Sequence, residues 1–148
     1  MTLLRDILAA KGSAVFTISP HATLQEAAQI LLKYRVGALL VFESEGERAA
    51  QRMLGILSER DLLWSCATSP GTLDQVKVSA VMSSPVITGT PDDRIDHVMG
   101  LMTRERKRHL PVLCDGQLLG MISIGDLVKW QHDQMAIENR FMKDYISG

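Results

Sequence analysis

Two stretches, Gly55-Ile-Leu-Ser-Glu-Arg-Asp61 and Gly120-Met-Ile-Ser-Ile-Gly-Asp126, decide the fold of this chain. In each, a glycine and two apolar residues precede a Ser-x-x-Asp tetrad. Before these stretches, the two halves of the chain match at an offset of 71 residues, with Val15-Phe-Thr-Ile-Ser-Pro20 over Val86-Ile-Thr-Gly-Thr-Pro91. Self-similarity of this kind is typical of a repeated structural unit. The sequence therefore predicts two copies of one unit.

The apolar pattern changes in the same order within each copy. Apolar residues at i, i+3, i+4 and i+7 predict one helix per copy, with Leu24, Ala27, Ala28 and Leu31 in the first and Ile95, Val98, Met99 and Met102 in the second. Thr23 and Glu26 form a capping-box pattern at the start of the first helix. Two short apolar runs follow in each copy, and the tetrad then opens another helix. The pattern predicts an α+β fold with the order β-α-β-β-α twice.

The repeats are predicted at residues 1–68 and 76–148, the second including a long C-terminal helix from Asp126 to about Ile146. The polar stretch Glu43 to Arg52 makes the first copy longer and predicts an extended surface hairpin. Since chains of about 60 residues are marginally stable alone, the copies are expected to pack together about a pseudo-twofold axis. Such packing creates two related clefts.

Composition limits the class of protein. The chain has 148 residues, 46% hydrophobic, and a net charge of −1. It contains neither the roughly 20-residue apolar run of a membrane span nor a secretory signal pattern, which predicts a cytoplasmic protein without a membrane partner. Cys66 and Cys114 lie far apart and are interpreted as packing residues, with no metal site expected. The near-zero net charge argues against a nucleic-acid partner.

Both tetrads are predicted at a strand-to-helix turn, where free backbone N–H groups favour anions. A carboxylate at such a turn can accept hydrogen bonds from both hydroxyls of a ribose. Plain helix capping is the competing interpretation, and two copies at equivalent positions weaken it.

Basic residues are densest between Arg104 and His109. Arg104, Arg106 and Lys107 are interpreted as a solvated helix end, because cations favour helix C-termini. Arg108 and His109 adjoin the following strand and are candidate phosphate ligands. A buried structural role for His109 stays open.

The ordered motifs in both copies, together with Val36-Gly-Ala-Leu-Leu-Val41 and Arg108-His-Leu-Pro-Val112, resemble the tandem CBS domain pair, or Bateman module. The resemblance covers nearly the whole chain and is closest to small stand-alone bacterial members. It implies a regulatory module that binds an adenosine-containing ligand such as AMP, ADP, ATP, NAD or S-adenosylmethionine, without a catalytic cofactor. It also implies a homodimer, for which the stripe of Ile137, Phe141 and Tyr145 offers an apolar surface. Alternatively, this stripe covers the chain's own core.

The resemblance also assigns residues to the two clefts. In the main one, Asp126 is expected to hold the ribose, Ser123, Arg108 and His109 the phosphate, and Met121, Thr17, Ala22, Val36 and Gly37 the adenine. The second cleft is expected to use Ser58, Arg60, Asp61 and Thr88. It is predicted to be weaker, because Gly37 and Ala38 stand where the main one has Arg108 and His109.

The sequence leaves two alternative functions. An enzyme would pair Asp61 and Asp126 with His97, His109 or His132 as a base, but no nucleotide-hydrolase, esterase or metalloprotease motif is found, and the two aspartates belong to different clefts. A ligand-free protein–protein interaction module is the stronger alternative. In either case the effector protein is unknown.

Overall fold

The structure is a computed structural model that describes residues 2–12, 14–43, 53–68 and 70–147. Helices and strands alternate along the chain in the predicted α+β arrangement. The elements are α1 (Leu4–Lys11), β1 (Thr17–Ile18), α2 (Leu24–Tyr34), β2 (Ala38–Phe42), β3 (Met53–Ser58), α3 (Glu59–Thr68), a 3-10 turn (Leu73–Gln75), α4 (Val78–Val81), α5 (Ile95–Glu105), β4 (His109–Cys114), β5 (Gln117–Ser123) and α6 (Ile124–Ser147).

Each repeat contains its own small sheet. In the first, β1 pairs with β2 in parallel and β2 pairs with β3 antiparallel, while in the second β4 and β5 form an antiparallel pair. The strand predicted near Val86–Thr90 is reduced to a single parallel bridge between Gly89 and Val112. The first repeat thus contains all five elements of the order β-α-β-β-α. In the second repeat, the opening strand consists only of this bridge.

The helix before each sheet begins and ends as a local sequence signal predicts. Thr23 Oγ1 accepts a hydrogen bond from the Glu26 N–H, and the Glu26 carboxylate accepts one from the Thr23 N–H, so the predicted capping box is confirmed. Helices α2 and α5 both end at an arginine in the left-handed region, Arg35 at φ 53° and Arg106 at φ 55°. These turns direct residues 35–38 and 106–109 toward the space between the repeats.

Each repeat has its own core, but each core includes a helix from outside the repeat motif. The core under β4 and β5 contains Leu4, Ile7 and Leu8 of α1, and the core under β2 and β3 contains Val78 of α4. Equivalent backbone bonds fix the two helices: the Leu4 N–H donates to the Asp93 carbonyl, as the Val78 N–H does to the Ala22 carbonyl. The predicted boundary between residues 68 and 76 therefore does not separate the two cores, because each core includes a helix from the other side of that boundary.

A third cluster joins the two sheets. Leu40 and Phe42 of β2 are buried together with Leu118 of β5 and with Val15, which precedes β1. Met121 and Ile56, at equivalent places in the two repeats, pack against the same cluster. Apolar burial across this seam holds the repeats together and leaves a cleft on either side of it.

The structure corrects two interpretations of the sequence, and a third concerns residues that are largely outside the described ranges. Cys66, in the last turn of α3, and Cys114, the last residue of β4, are exposed free thiols and not packing residues. The stripe on α6 is exposed, with Phe141 at 71% and Tyr145 at 89%, so it does not cover the core of its own chain. The hairpin predicted at Glu43–Arg52 falls largely outside the described residues. Within the ranges that the structure describes, no helix is long and apolar enough to cross a membrane.

Candidate functional site

One cleft, here the Asp61 cleft, is the second, weaker cleft of the sequence prediction. It lies where the end of β3 meets the turn before β4. One wall comes from the first repeat and the other from the second. The cleft has a volume of about 210 Å³ and is lined by Ile56, Ser58, Glu59, Arg60, Asp61, Ser83, Arg106, Lys107, Arg108 and His109. Three arginines and a lysine therefore face two carboxylates, and the cleft carries net positive charge.

Asp61 is held in place by its own tetrad. Its Oδ2 accepts from the Ser58 N–H at 2.8 Å and from the Ser58 hydroxyl at 3.0 Å. The Ser58 Oγ also accepts from the Asp61 N–H at 3.3 Å, so the tetrad does cap α3. Capping and a binding role are compatible, because each carboxylate oxygen has two lone pairs and Oδ1 has no hydrogen-bond partner among the described residues.

The other cleft, here the Asp126 cleft, is related to the Asp61 cleft by the repeat. Asp126 is not itself among its lining residues, but it is hydrogen-bonded to Lys11 and Ser123, which are. It has a volume of about 250 Å³ and is lined by Lys11, Ala14, Val15, Phe16, Arg35, Val36, Gly37, Ala38, His109, Met121 and Ser123. Residues 35–38 stand where the other cleft has 106–109, and Ser123 stands where it has Ser58. Its lining combines apolar residues and glycine with the polar residues Lys11, Arg35, His109 and Ser123.

Asp126 already has a cationic partner inside the chain. Lys11 Nζ lies 2.6 Å from Asp126 Oδ2 and 2.8 Å from the Met121 carbonyl oxygen. The same Oδ2 accepts the Ser123 N–H at 2.8 Å. Burial raises the pKa of Asp126, but the hydrogen bonds from Lys11 and Ser123 outweigh it and hold the pKa below its usual value.

His109 lies between the clefts and lines both. Burial lowers the pKa of His109, an effect that Glu59 and Asp126 oppose and that Lys11 and Arg108 reinforce. The lowered pKa favours the neutral imidazole at pH 7, and the side chain is half-buried rather than that of a fully enclosed core histidine.

The structure brings together part of each predicted set. Val36, Gly37, His109, Met121 and Ser123 line one cleft, and Ser58, Arg60 and Asp61 line the other. Arg108, assigned from the sequence to the Asp126 cleft, lines the Asp61 cleft instead and directly precedes β4. Arg106 and Lys107 line the same cleft and are not a purely solvated helix end.

Three predicted residues lie elsewhere. Thr17 and Ala22 are not among the residues that line either cleft, and Ala22 packs against the core of the first repeat. Thr88 lines a separate surface hollow with Val86 and Leu113. The chain passes the cleft at Ala14 to Phe16, just before β1, so the wall comes from the residues preceding Thr17.

The sequence analysis missed Lys11, Arg35, Glu59 and Ser83 as cleft residues. Arg35 could have been found from the repeat, since it occupies the place of Arg106. Lys11 had no such signal, because it precedes Val15, where the match in sequence between the two copies begins. In the described ranges, no group of three or more His, Cys, Asp or Glu side chains could hold a metal ion.

Comparison with known proteins identifies the repeated unit. The family model of the CBS domain matches residues 4–67 and again residues 78–133. The chain belongs to the CBS domain family. Its two matches show a tandem CBS pair, and the boundaries include α1 in the first match and α4 in the second.

Individual CBS proteins agree with this assignment. The mitochondrial CBS domain-containing protein CBSX3 of Arabidopsis thaliana is 31% identical over 99% of this chain and 73% of its own length. A crystal structure of a CBS-domain containing protein from Agrobacterium tumefaciens is 37% identical, with a TM-score of 0.80 over 88% of this chain and 99% of that one. A CBS domain protein from Pyrobaculum aerophilum, solved in complex with AMP, is 27% identical, with a TM-score of 0.72 over 84% and 89% of the two chains.

Proposed function

We propose that this protein is a regulatory module that binds a phosphorylated adenosine ligand in the Asp61 cleft, without catalysing a reaction. One observation carries the proposal. Asp61, fixed by Ser58 at the start of α3, shares its cleft with Arg106, Lys107 and Arg108 from the other repeat. A ligand that contacts both walls joins the two repeats.

The chemistry of the cleft fits a ribose phosphate. The carboxylate of Asp61 accepts hydrogen bonds from a ribose diol, and guanidinium groups bind phosphate oxygens through two parallel donors. Ile56 supplies apolar surface between the polar walls. AMP, ADP, ATP and NAD all share these groups.

The family supports a nucleotide. A protein with the same fold and 27% identity was solved with AMP bound. This relative supports the class of ligand proposed here, and the choice among the four nucleotides depends on how many phosphates the basic wall holds.

The proposal reverses the order of the clefts predicted from the sequence. That prediction placed Arg108 beside Asp126 and made the Asp126 cleft dominant. The positive wall stands in the Asp61 cleft, and Lys11 already pairs with Asp126. We therefore assign the phosphorylated ligand to the Asp61 cleft.

Isothermal titration of nucleotide-stripped protein with adenosine, AMP, ATP and NAD tests the assignment. Asp61→Ala is expected to weaken AMP binding by roughly tenfold or more, since a hydrogen bond to a charged group is lost, while Asp126→Ala has a smaller effect. Arg108→Met is expected to weaken AMP binding and spare adenosine.

Arg104→Met is the matched control, because Arg104 belongs to the same basic stretch but pairs with Glu105 outside the cleft. A larger loss from Asp126→Ala than from Asp61→Ala would return the site to the Asp126 cleft. Wild-type protein that binds none of the four ligands would favour the alternative, a ligand-free interaction module.

We also propose that the protein forms a homodimer through α6. The exposed apolar residues at the end of this helix are Ile137, Phe141, Met142, Tyr145 and Ile146. A second copy would remove them from water. The cytoplasmic location and an effector protein that reads the bound state stay predictions.

A further inference from the structure

Lys11 makes the two clefts unequal. In the Asp126 cleft its ammonium group contacts both the tetrad carboxylate and the Met121 carbonyl, at 2.6 Å and 2.8 Å. The ion pair is only partly exposed, with 34% of the Lys11 side chain and 23% of the Asp126 side chain accessible. In the Asp61 cleft, the described hydrogen bonds to the carboxylate come from Ser58 of its own tetrad.

The difference follows from the lengths of two equivalent helices. Helices α1 and α4 hold the same place in the two cores, and their first residues make the same backbone bonds. Helix α4 ends at Val81, and the chain then bridges β3 through Ser83 and Ile56. Helix α1 continues to Lys11 and is about one turn longer than α4, and this extension brings a lysine to the tetrad of the second repeat.

The ion pair competes with a ribose for the same carboxylate. A diol that approaches Asp126 must displace the ammonium group from Oδ2, or bind through Oδ1 to a carboxylate whose charge is already neutralised. The ammonium–carboxylate contact adds the attraction between two opposite charges, which a hydrogen bond from a neutral hydroxyl to the same carboxylate lacks. Ligand binding in this cleft is therefore opposed by an intramolecular contact.

We propose that Lys11 is a specificity-determining residue, an intramolecular cap on Asp126 that leaves the Asp61 cleft as the one adenosine site of the chain. This inference rests on the proposed function, because it assumes that the tetrad carboxylates hold ribose. It explains why the chain binds one ligand although the backbone hydrogen bonds of its two tetrads are equivalent.

The test isolates the Asp126 cleft by placing every variant in an Asp61→Ala background. Adenosine is the probe, because it lacks phosphate and the loss of a cation does not itself weaken its binding. Lys11→Met, which keeps the length of the side chain, is expected to raise adenosine affinity by about tenfold, as measured by isothermal titration. In a chain with intact Asp61, the same change is expected to raise the number of adenosine sites from one to two.

Two further variants separate the cap from a general effect on α1. Lys11→Arg keeps the cation and is expected to keep the low affinity. Arg5→Met removes another cation from the same helix, one that pairs with Asp92, and is expected to leave adenosine affinity unchanged. An unchanged or lower affinity in Lys11→Met would overturn the proposal, the lower value because it would make Lys11 a ligand contact.

A ligand-independent measurement distinguishes failure of this inference from failure of the proposed function. The pKa of Asp126, followed by NMR, is expected to rise in Lys11→Met if the cap exists. An unchanged pKa would show that Lys11 does not hold Asp126 and would overturn the cap. A raised pKa in a protein that binds no adenosine or AMP would instead refute the proposed function and, with it, the specificity role.

Discussion

His109 packs against the backbone of Gly37, so closely that a Cβ atom at residue 37 would lie 3.1 Å from His109 Nε2. The pair lies at the seam between the repeats, with Gly37 on the wall of the Asp126 cleft and His109 on the walls of both. A change at either residue therefore acts on the two clefts together.

Gly37→Ala is expected to destabilise the protein by about 1 kcal/mol, because the imidazole must shift by a few tenths of an ångström in a packed seam. Denaturant unfolding measures the change. In a His109→Ala background the same substitution is expected to cost less, since the atoms that the new methyl group meets are gone. Equal costs in the two backgrounds would show that the contact is not what limits residue 37.

The free energy of unfolding is expected to decrease as the pH falls from about 7 to 5. Burial lowers the pKa of His109 in the folded state, so the unfolded chain, with a pKa near 6.5, binds more protons over this range. Stability is thus fully present above the unfolded pKa and is lost as the pH falls, by at most about 1.4 kcal/mol per pH unit.

His109→Gln is expected to flatten this dependence, measured as urea unfolding at several pH values. His21 and His132 are largely exposed and serve as the background that both proteins share. The same slope in wild type and variant would contradict the role given to His109.

Gly100→Ala is expected to stabilise the protein by about 0.5–1 kcal/mol and to raise its Tm by about 2–4 °C. Gly100 lies in the middle of α5 and is exposed to solvent, and a Cβ atom there meets no other atom within 4 Å. Gly55→Ala is the contrasting variant, because its Cβ atom would lie 2.9 Å from the Ser83 carbonyl oxygen. Thermal unfolding should move the two variants in opposite directions.

Phe141→Asp with Tyr145→Asp is expected to convert a dimer into a monomer, since both side chains are exposed in a single chain and gain burial only from a partner. Sedimentation equilibrium measures the assembly, and circular dichroism should show an unchanged helix content. Arg140→Asp is the control on the same helix, off the apolar stripe. Wild-type protein that sediments as a monomer would refute the dimer itself.

The fold was predictable from the sequence because its signals are local and occur twice. Apolar spacing located α2 and α5, and Thr23 with Glu26 located a helix start, since capping depends on residues three apart. The glycine, the apolar pair and the Ser-x-x-Asp tetrad located a strand end and a helix start in each repeat. Each of these signals is weak alone, but their occurrence in the same order in both repeats indicated the fold.

Part of the site followed from the same repeat. An equivalent pair of walls was predictable once residues 35–38 and 106–109 were aligned, and the two tetrads were predictable as their opposite walls. What the alignment leaves open is which wall faces which tetrad. Arg108 was for this reason assigned to the tetrad of its own repeat, whereas in the structure it lines the Asp61 cleft.

The sequence by itself determined the two repeats, their elements and the tetrads, because each depends on contacts between near neighbours or on spacing along one helix or strand. The tertiary structure alone decided that α1 packs in the core of the second repeat and carries Lys11 to Asp126, across 115 positions of sequence. No local periodicity encodes such a contact, since it depends on the packing of apolar faces from distant segments. That long-range contact is what distinguishes two clefts that the sequence made similar.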